Sequence, residues 1–527
     1  MFRINEVKVS LEEDHAKDFL SVLAKFFDVQ KQQILNYKIR KRSLDARKKS
    51  DIHYKYNFDV DFLEEVKEKI VTKFNLKQSQ EVQENRAVVN KNKTVVVVGS
   101  GPAGLFAAHE LSLANIKVIL LERGESIENR VKTVDELLKT GKLNKESNIQ
   151  FGEGGAGTFS DGKLNTGINT KLVDEVLTTF YDCGAEENVL YDSKPHIGTD
   201  KLRGVVKNLR NKIIQQGGEV LFCAKFTDFS IVDEKIKVTY TLNGQDKEII
   251  CDNLVLALGY SARDTLKHLY NKGVEFEQKP FSVGYRIEHL QEDVNISQYG
   301  ENYNKLLPPA DYKLFAHLEN ERTVYTFCMC PGGEVVPAIS DHNQIVTNGM
   351  SYHSRNGINA NSAILVSVSN SDYKSKHPLA GMDFQEQLEK NAYEKSCGKF
   401  VVSKVGDFVK NKSTTALGKV KPTIKPGYVL GNVYELLPKV LSESIKQGLK
   451  EFSKKIKCFN DEDAILTGIE TRSSAPFLIK RNEFLSTNFK NIYAIGEGAG
   501  MAGGIVSSAV DGIKIARKII EKYLKEN

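Results

Sequence analysis

The sequence predicts an α/β protein with a doubly wound, Rossmann-type sheet that is interrupted by a β-rich α+β insertion. Three observations support this fold class. At residue 94 the pattern changes to strand, Gly-rich turn, helix and strand. From about residue 276 it becomes rich in β-like alternation and turns, and from residue 491 it returns to strand, Gly-rich turn and helix. A chain that leaves a sheet and later returns to it carries an inserted domain.

We therefore predict four segments. Residues 1–90 form a small basic α+β domain, the N-terminal domain, whose strands we expect at 3–11, 34–39 and 53–60 and whose helices we expect at 12–27 and 62–74. The polar run 77–93 is typical of a linker. Residues 91–275 and 456–527 form the two parts of a nucleotide domain. Residues 276–455 form a β-rich, substrate-facing cap, the inserted domain.

The composition bounds the class of protein. The 527 residues are 40% hydrophobic and 27% charged, the balance of a globular protein with enough apolar material for large cores. The sequence has neither a run of about 20 apolar residues nor an apolar signal-peptide core near residue 1. We expect a cytoplasmic protein with no membrane partner, and nothing in the sequence specifies an oligomeric state. The seven cysteines form no CxxC motif, so no metal site is predicted.

The chemistry-bearing motif follows the β-branched run 94–98, which is typical of a parallel strand buried on both faces. Glycine at the first, third and sixth positions of the motif allows a tight turn, close approach of a pyrophosphate, and close packing of helix on strand. The next helix presents free N–H groups to phosphates. The motif consists of Gly99, Ser100, Gly101, Pro102, Ala103 and Gly104.

An acidic residue stands where a ribose-binding carboxylate is expected. The next strand, 117–121, ends at Glu122, which lies 18 residues beyond Gly104 and so near the spacing of about 20 at which an acid contacts ribose hydroxyls. Arg123, directly after it, and Phe226, at the end of a strand predicted at 219–226, are further candidates for cofactor contact. Together these elements predict a bound dinucleotide.

The C-terminal segment decides which dinucleotide. Residues 491–506 contain a strand, a Gly-acid turn and a helix start, and resemble the second flavin fingerprint of FAD-dependent oxidoreductases. The usual acid there is Asp, which contacts the ribityl chain; Glu497 is one methylene longer. The strand at 253–257 and Gly259 resemble a third element of these proteins. We predict non-covalently bound FAD, with contacts from the C-terminal candidates Gly496, Glu497, Gly503, Gly504 and Ile505.

Seven longer runs stand out in the sequence: 42–47, 151–164, 259–264, 286–289, 327–334, 347–351 and 470–474. They resemble the largely uncharacterised bacterial family of NAD(FAD)-utilizing, or FAD-dependent, dehydrogenases. The resemblance implies the family fold, FAD and an oxidoreductase activity. The sequence has no second GxGxxG motif, so NAD(P)H enters only as a hypothetical transient reductant.

The Gly-rich run 152–163 permits close backbone approach to a planar ring. The related position in similar flavoproteins lies along the isoalloxazine, and a mobile loop is the alternative. Lys163 is our candidate for stabilising anionic reduced flavin. The candidate contacts in this run are Gly154, Gly155, Ala156, Gly157 and Thr158.

The remaining candidates for catalysis are His196, Arg286 and Cys330. His196 is either a general acid/base or a structural turn residue. Arg286, like Arg355 and Arg472, either clamps a carboxylate substrate or forms a structural ion pair. Cys330 and Cys328 face the same side if they lie on a strand, which allows a redox pair or a thiol charge-transfer partner; inert buried cysteines are the alternative.

Four functions remain open at this stage, one of them a flavin-bound structural or sensor protein without turnover. The first is an FAD-dependent oxidoreductase that moves a hydride between FAD and a small organic substrate. The second is a flavin-dependent hydroxylase using O₂. The third is an RNA-associated flavoprotein that binds nucleic acid through a basic cluster in the N-terminal domain, for which a solvated or FAD-phosphate-facing patch is the simpler explanation. The cluster consists of Lys38, Arg40, Lys41, Arg42, Arg47, Lys48 and Lys49.

Overall fold

A computed structural model describes residues 1–79, 88–89 and 92–526 of the chain. Most of the predicted linker at 77–93 lies outside these residues. Among the helices that the structure describes, none has the length and apolarity needed to cross a membrane.

The N-terminal domain is a four-stranded antiparallel sheet, in the order β2-β3-β1-β4, covered by helices. The predicted helix at 12–27 is two helices, because Lys17 adopts a left-handed conformation (φ 54°) that ends the first one and Asp18 caps the second. The elements are β1 (Phe2–Val9), α1 (Leu11–Ala16), α2 (Phe19–Phe27), β2 (Ile34–Asp45), β3 (His53–Phe62), α3 (Glu64–Phe74) and β4 (Lys77–Gln78).

The first part of the nucleotide domain begins with the predicted strand, turn, helix and strand. Its strands and helices are β5 (Thr94–Val98), α4 (Pro102–Leu113), β6 (Lys117–Leu121), α5 (Ile127–Thr140), α6 (Leu172–Asp182), α7 (Thr199–Gln215), β7 (Glu219–Leu221), β8 (Ala224–Val232), β9 (Lys235–Leu242), β10 (Gln245–Cys251), β11 (Asn253–Leu256) and α8 (Arg263–Asn271).

The rest of the chain contains the inserted domain and the return to the nucleotide domain. The elements are β12 (Phe276–Gln278), β13 (Phe281–Leu290), α9 (Gln291–Tyr299), β14 (Phe315–His317), β15 (Thr323–Cys330), β16 (Gly333–Pro337), β17 (Thr347–Ser351), β18 (Asn359–Val368), α10 (Asn370–Tyr373), α11 (Ala380–Ser396), β19 (Phe400–Lys404), α12 (Val405–Val409), β20 (Tyr428–Leu430), α13 (Lys439–Ser453), β21 (Ile465–Glu470), β22 (Phe477–Ile479), β23 (Ile492–Ala494) and α14 (Ile505–Lys525).

The nucleotide domain has a five-stranded parallel sheet in the order β23-β11-β5-β6-β7. Strand β5 lies at its centre and is buried on both faces: one face packs with α4 and α14, the other with the antiparallel layer β8–β10. The C-terminal strand β23 pairs with β11, so the chain returns to the sheet from which it departed. The predicted Rossmann-type α/β fold is confirmed.

The inserted domain is a seven-stranded mixed sheet in the order β14-β15-β18-β13-β21-β19-β20. Strand β21 pairs with β13 and β19, although we predicted that it belonged to the nucleotide domain. The inserted domain therefore extends to Glu470, and the boundary predicted at residue 455 is corrected. A short β run gives no sequence signal of which sheet it joins, because that choice depends on long-range pairing.

The N-terminal domain is packed against both other domains. Its apolar residues share one core with the seven-stranded sheet. At Arg42 the backbone N–H donates to the Tyr191 carbonyl at 2.7 Å and the carbonyl accepts from the Ser193 N–H at 2.8 Å. The Arg42 guanidinium bridges Asp14 of the N-terminal domain and Asp192 of the nucleotide domain, at 2.7 and 3.4 Å.

Candidate functional site

A cavity of about 880 Å³ lies where the nucleotide domain meets the inserted domain. This volume is within the range of roughly 300–1,000 Å³ that is typical of ligand sites. The turns that follow β5, β11 and β23 line one part of it. Most of residues 150–167, residues 325–329 of β15, Arg355 and Glu470 line much of the rest.

The Gly-rich turn after β5 reaches the cavity as predicted. Residues 99–103 line it, whereas Gly104 lies behind them in the first turn of α4. Gly99 has φ +100°, a conformation that side chains rarely adopt. Helix α4 begins at Pro102 with Gly101 as its N-cap, so its unpaired N–H groups and positive dipole end point to the cavity.

The C-terminal Gly-acid turn contacts the first turn directly. A Cβ atom at Gly496 would lie 2.7 Å from the Cβ atom of Ala103, so only glycine fits there. Gly496 itself lies behind the cavity wall, while Glu497, Gly503, Gly504 and Ile505 line the cavity. Helix α14 begins at Ile505 and directs a second helix N-terminus to the same space. The two predicted fingerprints therefore form one site.

The strand-plus-glycine element joins the same site. Gly259 follows β11 and lines the cavity, and a Cβ atom at Gly498 would lie 2.7 Å from the Gly259 nitrogen. Phe226 lines the cavity from β8. All three elements that predicted a flavin nucleotide are thus adjacent in the structure.

Glu122 lines the cavity, but its carboxylate also holds the surrounding backbone. One oxygen accepts from the Ser100 N–H (2.9 Å) and hydroxyl (2.6 Å), and the other from the N–H groups of Gly124 (2.9 Å) and Gly152 (3.1 Å). These four bonds occupy the roughly four acceptor positions of a carboxylate. A ribose hydroxyl would bind Glu122 only by replacing one of them.

Arg123 also lines the cavity, with its charge already paired. Its guanidinium donates two hydrogen bonds of 3.0 Å to Asp264 and one of 2.8 Å to Glu146. It lies 4.1 Å from the centroid of the Phe151 ring. Arg123 therefore forms part of the cavity wall, and its charge is not free to pair with a ligand.

The Gly-rich run 152–163 lies against the first turn. The Gly154 N–H donates to the Ser100 carbonyl at 2.9 Å, and a Cβ atom at Gly155 would lie 3.0 Å from the Gly101 Cα. Gly155, Ala156 and Gly157 line the cavity. Gly154 and Thr158, two predicted contacts, lie behind them; Thr158 is buried and its carbonyl accepts from the Thr199 hydroxyl at 2.9 Å.

The carboxyl group of Glu497 fits a bound flavin nucleotide. It lines the cavity, and among the described residues it accepts no hydrogen bond from another side chain or from an amide. Burial raises its pKa to about 7, with a small opposing effect from Lys279. A partly buried carboxyl of this kind needs a polar partner from a ligand, and the hydroxyls of a ribityl chain supply one.

Lys163 and the two cysteines of β15 form a polar cluster at another part of the cavity. The Lys163 ammonium donates to the Met329 carbonyl and lies 3.2 Å from the Asp161 carboxylate. Cys328 lines the cavity, whereas Cys330 is fully buried behind it. The Cys330 candidate is therefore corrected: the cysteine of this pair that lines the cavity is Cys328.

The two thiols differ in acidity. The pKa of the Cys328 thiol is lowered, first by a hydrogen bond from Cys330 and then by the positive charges of Lys163 and Arg286. The same hydrogen bond, together with burial, raises the pKa of Cys330. The cluster therefore favours a Cys328 thiolate beside a Cys330 thiol.

Arg286 is fully buried and is not available to clamp a substrate. It donates two hydrogen bonds to Glu470 (2.7 and 3.0 Å) and one to the Cys328 carbonyl (2.9 Å). Burial raises the pKa of Glu470 to about 7, although Arg286 opposes this. Arg355 is likewise paired with Asp161, and Arg472 with Glu389. The ion-pair interpretation of these arginines is the one that the geometry supports.

His196 lies outside the cavity wall. Its Nε2 is 3.1 Å from the His353 carbonyl, and the two rings stack with centroids 5.4 Å apart. Burial lowers its pKa to about 4, so the neutral ring is favoured. The general acid/base candidate is corrected to a structural residue. Of the four predicted catalytic residues, Lys163 alone lines the cavity.

Two functional features were not predicted from the sequence. The Asp161 carboxylate joins Lys163, Arg355 and Ser351 into one buried network. Cys328 faces the cavity because its backbone is left-handed (φ 45°) and the β15–β18 ladder is interrupted between Phe327 and Cys330. A bulge of this kind redirects a side chain, and the residues around it carry no sequence signal of it.

The basic cluster is partly neutralised within the protein. Arg40 pairs with the buried Asp59, Arg42 pairs with Asp14 and Asp192, and Arg47 pairs with Asp45. In the described part of the chain, no group of acidic, His and Cys side chains has the arrangement of a metal site.

Family models match residues 1–61 and 93–473 of the chain. One described as "Pyridine nucleotide-disulphide oxidoreductase" matches residues 93–279, and one described as "FAD-dependent protein, C-terminal domain-like" matches residues 280–473. A domain of unknown function matches residues 1–61. An "Uncharacterized protein" of Clostridium beijerinckii is 46% identical over 536 residues, which cover 99% of each chain.

Solved flavoprotein structures resemble the chain more distantly. Halogenase PltM (L111Y mutant, with FAD) has a TM-score of 0.38 and 10% identity, over 83% of this chain and 71% of its own. CtdE in complex with FAD has a TM-score of 0.31 and 11% identity, over 82% and 91%.

Proposed function

The chain belongs to the bacterial family of FAD-dependent dehydrogenases, and from this premise we propose that it transfers a hydride between non-covalently bound FAD and a small organic substrate in the same cavity. The observation that carries the proposal is the contact between the two fingerprint turns at Ala103 and Gly496. That contact places two helix N-termini, those of α4 and α14, at one cavity.

The first turn and α4 supply the binding site for the pyrophosphate. The N–H groups of Gly101, Ala103 and Gly104 are at the N-terminus of α4, where backbone donors and the helix dipole favour negative charge. Glu122 keeps this turn in place through its bonds to Ser100 and Gly152. The absence of a side chain at Gly101, where a Cβ atom would meet only the Gly155 Cα at 3.9 Å, leaves the space that a phosphate needs, whereas a Cβ atom at Gly99 would collide with the Ala257 carbonyl at 2.3 Å.

The second turn and α14 supply the site for the ring system. Bound FAD accepts or donates a hydride at its isoalloxazine. Helix α14 directs its N–H groups to the cavity at Gly504 and Ile505, where they stabilise negative charge. With a pKa of about 7, Glu497 is present at neutral pH in both its protonated and its ionised form, so it can donate to or accept from the hydroxyls of a polyol.

The inserted domain supplies the substrate side of the cavity. Strand β15 contributes Tyr325 to Met329, and Lys163, Asp161 and Arg355 form a charged network beside it. Burial lowers the Lys163 pKa, but the negative charge of Asp161 and of the neighbouring cysteine pair outweighs it and raises the pKa to about 12. Lys163 therefore stays cationic and orients a substrate or stabilises negative charge on it. Enclosure between two domains keeps water from the transferred hydride.

Stopped-flow reduction tests the proposal. The purified holoprotein is mixed anaerobically with NADPH or NADH, and loss of the oxidised-flavin absorbance is recorded; oxygen is then added with and without candidate substrates. Reduction followed by hydride transfer to an organic acceptor supports the proposal. Substrate oxygenation would instead identify a hydroxylase, and no reduction or reoxidation by any donor–acceptor pair would contradict the proposal.

A further inference from the structure

The cysteine cluster on β15 has features that hydride transfer does not need. Cys328 faces the cavity, and Cys330, two residues along the same strand, is fully buried behind it. The Cys330 thiol lies 3.3 Å from the Cys328 carbonyl. Two cations, Lys163 and Arg286, lie on the same side: Lys163 donates to the Met329 carbonyl between the two cysteines, and Arg286 donates to the Cys328 carbonyl.

The spacing of the two cysteines along β15 is near the upper limit for a disulfide. In an extended strand, residues two apart are separated by about 6.6 Å, close to the upper limit of about 6.8 Å between the Cα atoms of a disulfide. The left-handed conformation of Cys328 and the interrupted ladder at Phe327–Cys330 bend β15 at this point. A bend brings the chain ends of a short segment closer together than the extended form does.

We propose that Cys328 and Cys330 are a redox-active dithiol that exchanges with small-molecule disulfides entering the cavity. Cys328 is the attacking thiolate, since it faces the cavity and has the cations beside it. Cys330 is the resolving thiol, since it is buried against Cys328 and no external molecule reaches it. The assignment names a substrate class for the proposed cavity and rests on the proposed function only in placing this chemistry beside the flavin.

The chemistry balances without a further reactant. The Cys328 thiolate attacks one sulfur of a disulfide R–S–S–R, forms a mixed disulfide and releases the other half as a thiolate. Cys330 then transfers its proton to the first R–S⁻ and attacks the Cys328 sulfur. This forms the Cys328–Cys330 disulfide and releases the second R–S⁻, which takes up from solvent the proton that Cys328 lost on ionisation. The protein dithiol is oxidised by two electrons, and the external disulfide is reduced to two thiols.

The local charges suit both steps. The lowered pKa of Cys328 provides a thiolate at neutral pH, and a stabilised thiolate is also a good leaving group when the disulfide is reduced again. The charged groups facing the pair are Lys163 and Arg286, with Asp161 and Glu470 as their counter-ions. The other cysteines lack such an environment: burial raises the pKa of Cys183, Cys251 and Cys458.

Intact-mass and thiol measurements on the full-length holoprotein test the inference, with oxidised glutathione as the probe. The exposed Cys223 and Cys397 are first replaced by serine, so that surface thiols do not contribute. In this background we expect the thiol count to fall by two with no glutathione attached. Cys330→Ser should stop at the mixed disulfide, with glutathione attached to Cys328. Cys328→Ser should neither form a disulfide within the protein nor bind glutathione.

The variants separate this inference from the proposed function. The flavin absorbance reports whether each variant is folded and loaded, and reduction by NADPH reports hydride transfer. Suppose that the FAD-containing protein is reduced by NADPH but keeps all its thiols in the presence of oxidised glutathione. This result would refute the proposed redox-active dithiol and leave the hydride-transfer proposal standing. Equal oxidation of Cys328→Ser and the background protein would also overturn it.

Discussion

A Cβ atom added to Gly496 would lie 2.7 Å from the Cβ atom of Ala103, although almost 400 residues separate the two in the chain. The contact joins the turn after β5 to the turn after β23. It exists because β23 returns to the sheet beside β11, which pairs with β5. The closing of the parallel sheet by the C-terminal segment therefore builds the cofactor site.

Substitution of Gly496 should separate the two turns. In Gly496→Ala the new methyl group would overlap Ala103, and the residue would keep a left-handed φ of 71°, which costs a non-glycine residue about 1–3 kcal/mol. We expect weaker FAD binding and a lower Tm. Fluorescence titration of FAD-depleted protein and thermal unfolding measure the two effects.

The matched control is Gly204→Ala in α7, where an added Cβ atom meets nothing within 4 Å. Alanine inside a helix is favoured over glycine by about 0.5–1 kcal/mol, so this variant should bind FAD normally and be slightly more stable. Equal FAD affinity in the two variants would show that the contact at Ala103 is not needed for binding.

Replacement of Lys163 should change the acidity of Cys328. Lys163→Met removes the nearest cation that lines the cavity beside this thiol, so the pH midpoint of Cys328 alkylation by iodoacetamide should rise by about one unit, equivalent to about 1.4 kcal/mol. Mass spectrometry of the alkylated peptide gives the midpoint. Lys194→Met, which removes a cavity cation paired with Asp311, should leave it unchanged. The same midpoint in the unaltered protein and in both variants would show that Lys163 does not lower the pKa of Cys328.

Arg42 should contribute more to stability than its neighbours in the basic cluster. Arg42→Ala would leave Asp14 and Asp192 without their shared partner, and loss of one member of a mostly buried ion network costs about 2–3 kcal/mol. Urea unfolding should show this loss as a lower free energy of unfolding of the N-terminal domain. Arg47→Ala, which removes an exposed pair with Asp45, should have no measurable effect. Similar unfolding curves for the two variants would refute a docking role for Arg42.

Glu497 should make the stability of the FAD-depleted protein depend on pH. Its pKa is about 7 in the folded protein and 4.5 for the ordinary group, so between these values the folded state binds more protons than the unfolded state. Stability from this residue is therefore greatest below about pH 4.5 and decreases as the pH rises to 7, by roughly 3 kcal/mol. Glu497→Gln should flatten the curve of Tm against pH. If the slope of Tm against pH is the same in Glu497→Gln and in the unaltered protein, the carboxyl of Glu497 does not have a raised pKa.

Local motifs predicted the nucleotide domain and most of its cavity wall. Residues 99–103, Glu497 and Gly504 line the cavity because short-range requirements, such as a tight turn or a helix start, are written in the sequence at fixed spacing. The exceptions, Gly104, Gly154, Thr158 and Gly496, support the wall from behind. A motif identifies a turn but does not tell which of its atoms face outward.

The catalytic candidates could not be chosen from the sequence. Arg286 and His196 stand in distinctive runs, yet Arg286 is neutralised by Glu470 and His196 is packed on His353. These partners are distant in sequence and come together only through tertiary packing. The outward position of Cys328 depends on a bulge in β15, and the extent of the inserted domain depends on the pairing of β21 with β13.

The most direct test is a fluorescence titration of FAD-depleted, folded protein with FAD, in parallel with Gly101→Val. Gly101 lines the cavity at the N-terminus of α4, so a side chain there occupies the space assigned to the pyrophosphate. We predict saturable binding of one FAD per chain by the unaltered protein and loss of that binding in Gly101→Val. Failure of the folded, unaltered protein to bind FAD, or equal binding by Gly101→Val, would contradict it.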